Sequence, residues 1–333
     1  MRTPAETEAL IGHDLAEAEL ARAAAGQRLH HAWLITGPAG IGKATLAYRF
    51  ARFLLSGLPA GPAPKPLHVP PTHGTFRRVA ADTHADLLTV TLRYDDQKKR
   101  MGREILVDDI REITGFLRLT PAEGGFRVVI IDGAEAMNNA AANALLKALE
   151  EPPDRAILLL VSHNPGALLP TLRSRCVRLA LAPLDEAAMR EVLRAAAPDL
   201  GAAETNALLV IAGGAPGRAL VLADAGALDL AGLAKAAIDT PPDFVGRSRL
   251  IDQILKLEDG FELFLDLLRH QIHAIIAATA RGGPDPRGQA LLARRRLDAW
   301  AELWQALGHI QFVTLRFHMD RRQALTEALT LLA

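Results

Sequence analysis

The chain has 333 residues, 38 basic side chains balancing 38 acidic ones, and a single cysteine. With half of its residues hydrophobic and 23% charged, it is excluded from global disorder, and its length suits two or three domains with a sizeable core. Zero net charge supplies no overall field toward nucleic acid or membrane, one cysteine excludes an intramolecular disulfide framework and a cysteine-based zinc cage, and neither a signal-peptide run nor ~18 consecutive apolar residues is present, so a cytoplasmic protein with no membrane span is expected.

In chain order, Pro4 to Ala25 has helical spacing (Ala9, Leu10, Leu15, Leu20), and Ala32-Trp-Leu-Ile-Thr36 is a short apolar run ending at Gly37-Pro38, which predicts a buried strand. Lys43 to Leu55 is helical in pattern. Gly57 to Gly74 is crowded with proline and glycine and predicts an irregular surface loop. Leu87 to Leu92 is a second strand, and Arg93 to Gly102, with Lys98-Lys99-Arg100, a solvated excursion. A helix starts at Val107, where Asp108 and Asp109 suit its N-terminal dipole. Arg127 to Ile131 is a third strand. The next helix is capped by Asn138 or Asn139 and ends before Pro152-Pro153, and Ala156 to Ser162 is the fourth strand. Strands alternating with helices predict an α/β fold with a parallel sheet covered on both faces over the first ~180 residues. Beyond Pro183 the pattern is helical: a small bundle over 184–223 with a Gly213-Gly214 turn, then helices from about Asp243 to the end, broken at Gly282-Gly-Pro-Asp-Pro286. Trp300 and Trp304, four apart, and Phe261, Phe264 and Leu268 have the spacing of packing residues on helix faces.

The sharpest chemical signal is Gly37-Pro-Ala-Gly40-Ile-Gly42-Lys43-Ala44-Thr45, set between a predicted strand and a predicted helix. It fits the P-loop spacing, in which glycines let backbone N–H groups turn toward phosphate oxygens and the lysine reaches the outer phosphates. The position that should hold Mg²⁺ through a hydroxyl is Ala44. The hydroxyl comes one residue late, at Thr45, about 100° around the helix. Val128-Val-Ile-Ile-Asp132 is an apolar strand ending in a metal-directed carboxylate. ATPases of the AAA+ class follow that Asp with a water-polarising Glu. Here Gly133 stands in its place, and Glu135 is expected on another face. Leu172-Arg-Ser-Arg175-Cys176 reads equally as a solvated basic loop or as an arginine finger, a guanidinium offered to a neighbour's γ-phosphate.

Taken together, Leu10-Ile-Gly-His13, His30-His-Ala-Trp-Leu34, the P-loop run, Val107-Asp-Asp-Ile-Arg-Glu112, Asn139-Ala-Ala-Ala-Asn-Ala-Leu-Leu-Lys-Ala-Leu-Glu-Glu-Pro-Pro153, Ser174-Arg175-Cys176, Gly214-Ala-Pro-Gly-Arg218 and Asp320-Arg-Arg-Gln323 resemble the delta-prime subunits of the bacterial DNA polymerase III clamp loader, an AAA+ family. The resemblance implies a P-loop AAA+ ATPase-like domain over 1–182, a three-helix lid over 183–240 and an all-α collar over 241–333. It implies a pentameric ring with tau/gamma and delta subunits that acts on a sliding clamp and primed DNA, with Arg175 as an arginine finger in trans. It makes ATP or ADP with Mg²⁺ the candidate cofactor, with Gly37, Gly40, Gly42, Lys43, Thr45, Asp132 and Arg218 as binding residues; Arg218 would be sensor 2, and Ser162-His163-Asn164 the sensor-1 region. Leu10 to His13 would lie near the adenine. The zinc module common in the family is absent: Ser56 stands at its first cysteine, and His68, His73 and His84 are irregularly spaced, so no zinc is expected. Loss of the residues at 44 and 133 favours a stator-like subunit with weak or absent hydrolysis over a tau/gamma-like motor, and the Ser-Arg-Cys run disfavours an unrelated P-loop kinase or transporter.

Overall fold

A computed structural model describes all residues except 1, 27–28, 63–64, 93, 96–99, 103, 225–226, 258–259, 281–285, 318 and 333. In chain order the elements are α1 (Asp14–Ala25), β1 (Ala32–Thr36), α2 (Lys43–Ser56), α3 (Gly74–Ala80), β2 (Leu87–Val90), β3 (Tyr94–Asp95), β4 (Arg100–Met101), α4 (Val107–Leu117), β5 (Arg127–Asp132), α5 (Asn139–Glu150), β6 (Ala156–Ser162), α6 (Pro170–Arg173), β7 (Val177–Ala180), α7 (Glu186–Ala196), α8 (Ala202–Ala212), α9 (Pro216–Asp224), α10 (Ala227–Asp239), α11 (Phe244–Ile254), α12 (Gly260–Ala280), α13 (Pro286–Arg294), α14 (Leu297–Arg316) and α15 (Arg321–Leu332). They group into two compact units, one made of residues 1–198 and 214–218, the other of 199–213 and 219–333.

The first unit is built on a five-stranded sheet in the order β2-β5-β6-β1-β7, with every pairing parallel. Alternate residues of one strand feed opposite faces: Val128 and Ile130 join the core beneath α1, α2 and α3, whereas Val129 and Ile131 join the core beneath α4 and α5. Burial on both faces explains why the strands read as unbroken apolar runs. The register sets Asp132 beside Val161 and Ser162 beside Thr36, so three adjacent strands present their carboxyl ends together. That edge is where open parallel sheets bind ligands.

Several elements differ from the sequence expectation. The first helix begins at Asp14 rather than Pro4, because the carbonyls of Ala5, Thr7 and Glu8 accept hydrogen bonds from Arg52 and Arg49 of α2 instead of from a helical backbone. A fifth strand, β7, completes the sheet; at four residues on an edge, Val-Arg-Leu-Ala carries too little apolar signal to register. The polar excursion holds a two-residue antiparallel pair, β3 with β4. Lys98 and Lys99 lie outside the described residues, as does most of the Gly-Pro break at 282–286. The proline-rich loop runs to His73, is closed by Gly61 N–H to the Pro66 carbonyl at 2.8 Å, and is anchored by buried Leu67 and Val69. Asn138 caps α5 by accepting from Ala141 N–H at 2.9 Å, and Asp109 accepts from Leu106 N–H at the start of α4.

Among the described residues of the second unit, all the regular secondary structure is helical. On α12, Phe261, Phe264, Leu265, Leu268 and Ile272 are fully buried at helical spacing, and α12 packs against α10 and α14. Trp300 is buried, with its indole N–H on the Leu291 carbonyl at 3.3 Å, and the Arg269 guanidinium stacks 4.3 Å from the Trp304 ring. Both tryptophans are packing residues.

The least forgiving contact of the first unit is the Arg49–Glu17 ion pair, with both side chains 2% exposed. Removing one partner strands the other charge in the core, so Arg49→Ala should cost roughly 3–5 kcal/mol. The Glu17→Ala/Arg49→Ala double variant should lose less than the sum of the two singles, as read from urea unfolding.

Candidate nucleotide-binding site

Between β1 and α2 the chain turns through Gly37, Gly40 and Gly42 at φ +146°, +75° and +105°. These values admit glycine and penalise other residues. Space is as restrictive as torsion: a Cβ on Gly37 would lie 2.6 Å from the Leu181 carbonyl oxygen, and one on Gly40 would lie 2.8 Å from the Arg218 nitrogen. Three loop carbonyls are each held by a different donor. Lys43 Nζ donates to Pro38 at 2.6 Å, Gly217 N–H to Gly40 at 2.7 Å, and His13 Nε2 bonds to the Ile41 carbonyl at 2.7 Å. Because that carbonyl only accepts, His13 carries its proton on Nε2. His13 and Leu10 also cover Gly42. With its carbonyls bonded away, the loop suits an anion, which needs N–H donors and a cation.

Lys43 is 6% exposed, and burial lowers its pKa against the opposing pull of Glu135 and Asp132. Asp132, at the end of β5, is raised by burial, which Lys43 counters. Glu135 corrects the sequence expectation. Gly133 adopts φ +82° and starts a 3-10 turn over Ala134–Ala136, which folds the chain back over the sheet edge. Glu135 is thereby tucked against the end of β6, where its carboxylate pairs with the His163 ring and accepts from His163 N–H at 3.3 Å. Lys43, Asp132, Glu135 and His163 therefore share one electrostatic neighbourhood. A glycine directly after a strand-end acid was the available signal of this reversal. In the 162–164 turn, Ser162 is wholly buried in the sheet, while His163, with its side chain 57% exposed, faces the two carboxylates.

Thr45 and Ala44 are half-buried on the first turn of α2. Gly37, Gly40, Gly42, Lys43, Asp132 and the backbone of Arg218 thus gather at one edge of the sheet. Arg175 bonds elsewhere: Nη1 donates to the Thr171 carbonyl at 2.9 Å, and Nη2 pairs with Glu150 at 2.7 Å. Beside it, burial pushes the Cys176 thiol up to about 11, which keeps it protonated at neutral pH. His68, His73 and His84 are engaged separately: His68 faces Glu8, His73 caps α3, and His84 accepts from Asp86 N–H.

A glycine loop opening onto a helix, a buried lysine and a strand-end carboxylate on the carboxyl edge of a parallel sheet define a P-loop protein. A family model described as DNA polymerase III, delta subunit, matches residues 12–185, just over half of the chain. The chain belongs to that family, in its delta-prime form. It is 41% identical over 189 residues to DNA polymerase III subunit delta′ of Pseudomonas aeruginosa, covering 56% of this chain and 53% of that one. To the delta′ subunit of Escherichia coli it is 39% identical over 160 residues, covering 48% and 44%. To the gamma/tau subunit of Mycobacterium tuberculosis it is 29% identical over 290 residues, covering 85% and 47%. The chain spans about half the length of the curated relatives it matches.

Burial holds His13, His31 and His84 below the ordinary imidazole value. The unfolded chain therefore takes up protons near pH 6.5 that the folded chain refuses, so their contribution is complete above that pH and is lost as pH falls below it. The urea midpoint should drop between pH 7.5 and 6, by on the order of 1 kcal/mol of stability, and His13→Gln should flatten that slope.

Proposed function

We propose that this chain is a ring-building subunit of a DNA polymerase III clamp loader. It supplies Arg175 in trans to the ATP site of a neighbouring motor subunit and hydrolyses ATP weakly or not at all itself. The observation that carries this reading is selective loss at the sheet edge: the glycine loop and Lys43 are intact, while Ala44 and Gly133 stand where a metal-holding hydroxyl and a water-polarising acid belong. Glu135 does not restore the acid, since its Oε1 is taken by His163 and its Oε2 is buried. The ring would comprise tau/gamma and delta subunits and act on a sliding clamp and primed DNA, with divisions at 1–182, 183–240 and 241–333 for the ATPase-like, lid and collar domains.

The loop residues suit a nucleotide phosphate, because three loop carbonyls are bonded away and Lys43 sets a cation beside the glycine backbone. Gly37, Gly40, Gly42 and Lys43 would hold ATP or ADP, with Arg218 above and Asp132 and Thr45 beside. Mg²⁺ would supply charge neutralisation between phosphates, and Ala44 offers it no oxygen. A tau/gamma-like motor is the second reading, favoured by the nearness of Glu135 to Lys43.

Nucleotide binding should be measurable, lost in Lys43→Ala, and little changed by Mg²⁺, with no steady turnover by the isolated chain. Steady hydrolysis that disappears in Lys43→Ala would establish the motor reading instead. In the assembled ring with clamp and primed DNA, Arg175→Ala should lower turnover at the site it serves by ~10³-fold or more, with assembly intact by size-exclusion chromatography.

A further inference from the structure

The backbone around Arg175 is fixed on both sides. Arg175 N–H bonds to the Leu172 carbonyl at 3.2 Å and Cys176 N–H to the Arg173 carbonyl at 3.4 Å. Leu172 is 1% exposed, and Cys176 packs against the same core cluster. The side chain leaves this tight turn and is caught at two points, the Thr171 carbonyl and the Glu150 carboxylate, while remaining 35% exposed. A guanidinium has five N–H donors in a rigid fork, so two fixed partners leave donors for an incoming oxyanion.

Glu150 breaks a local rule. It is the last residue of α5 and is followed by Glu151, so two acids crowd the negative end of the helix dipole, where lysine or arginine is favoured. The other end of α5 obeys the rules, with Asn138 as its cap. Ala141, Ala142, Leu145 and Leu149 seat the helix on the sheet, and Pro152-Pro153 end it, so the Glu150 backbone is held by a packed helix. Exposed ion pairs contribute little to folding stability. A carboxylate placed against its own helix dipole, on a rigid element, and spent on one half-exposed arginine is better accounted for by orientation than by stability.

We infer that Glu150 is a positioning residue for Arg175. It holds the guanidinium at one point of the surface with its remaining donors presented to the terminal phosphate of a nucleotide held by the neighbouring subunit. This rests on the reading of Arg175 as a finger in trans. Arg175 is the group that meets phosphate, and Glu150 acts only through it.

The test is ATP hydrolysis by the ring assembled from the full chain with gamma/tau-type and delta subunits, clamp and primed DNA, resolved into kcat and KM. Arg175→Ala should show the largest fall in kcat. Glu150→Ala should lower kcat by about tenfold, the scale expected of a displaced catalytic group, with KM for ATP within twofold. Glu150→Gln, which keeps an acceptor of the same shape, should recover part of the rate. The Glu150→Ala/Arg175→Ala double variant should be no slower than Arg175→Ala alone, a non-additivity that mere structural damage would not give. A slow Arg175→Ala ring beside a Glu150→Ala ring at or above the normal rate overturns the positioning role and leaves the finger standing. Full-rate hydrolysis in Arg175→Ala overturns the finger, and the role of Glu150 with it.

Discussion

The site depends on one constraint: the carbonyls of Pro38, Gly40 and Ile41 are each bonded by a donor from a different part of the first unit. One bond comes from the helix that the loop opens, one from the segment at 214–218, and one from the N-terminal segment through His13. That last tether reaches further. Arg49 and Arg52, buried on α2, hold the carbonyls of Glu8, Ala5 and Thr7, and this course of the chain lays Leu10 and His13 over Gly42. The same helix therefore closes the phosphate loop at its N-terminal end and anchors the strap across it further along. The loop's shape is a property of the whole layer around it.

Much of this was legible in the sequence, for physical reasons. Two-sided burial makes β1, β5 and β6 continuous apolar runs, and glycine at 37, 40 and 42 marks torsions that other residues resist. What escaped notice is equally instructive. β7 is held by edge pairing, and its apolar content is too low to announce a strand. Residues 4–13 have helical spacing, but buried arginines outcompete the helix for their carbonyls. Glu135 depends on the reversal at Gly133, which a period-based reading passes over.

Two of the paired acids, Glu135 and Glu150, lie at opposite ends of α5's surroundings. Glu135 precedes the helix and is drawn in by His163. Glu150 ends it and is drawn out toward Arg175. Both are carboxylates whose partners come from the segment following β6, so the chain beyond that strand is tied to α5 and its approach by charge as well as by packing.

On the proposed reading of weak or absent hydrolysis, retention of the glycine loop needs a cause that does not depend on hydrolysis. The packing supplies one. Gly37 must let Leu181 approach, Gly40 must let the Gly217–Arg218 backbone approach, and Gly217 would itself strike the Gly40 oxygen if it carried a Cβ. Lys43 likewise has a structural duty, closing the loop on Pro38. Gly37, Gly40 and Lys43 are therefore residues the fold uses even without phosphate. On the proposed reading, the departures at 44 and 133 touch only the metal and the attacking water, and Gly133 makes the turn that buries Glu135. A loop of this kind can thus keep the look of a nucleotide site on packing grounds alone.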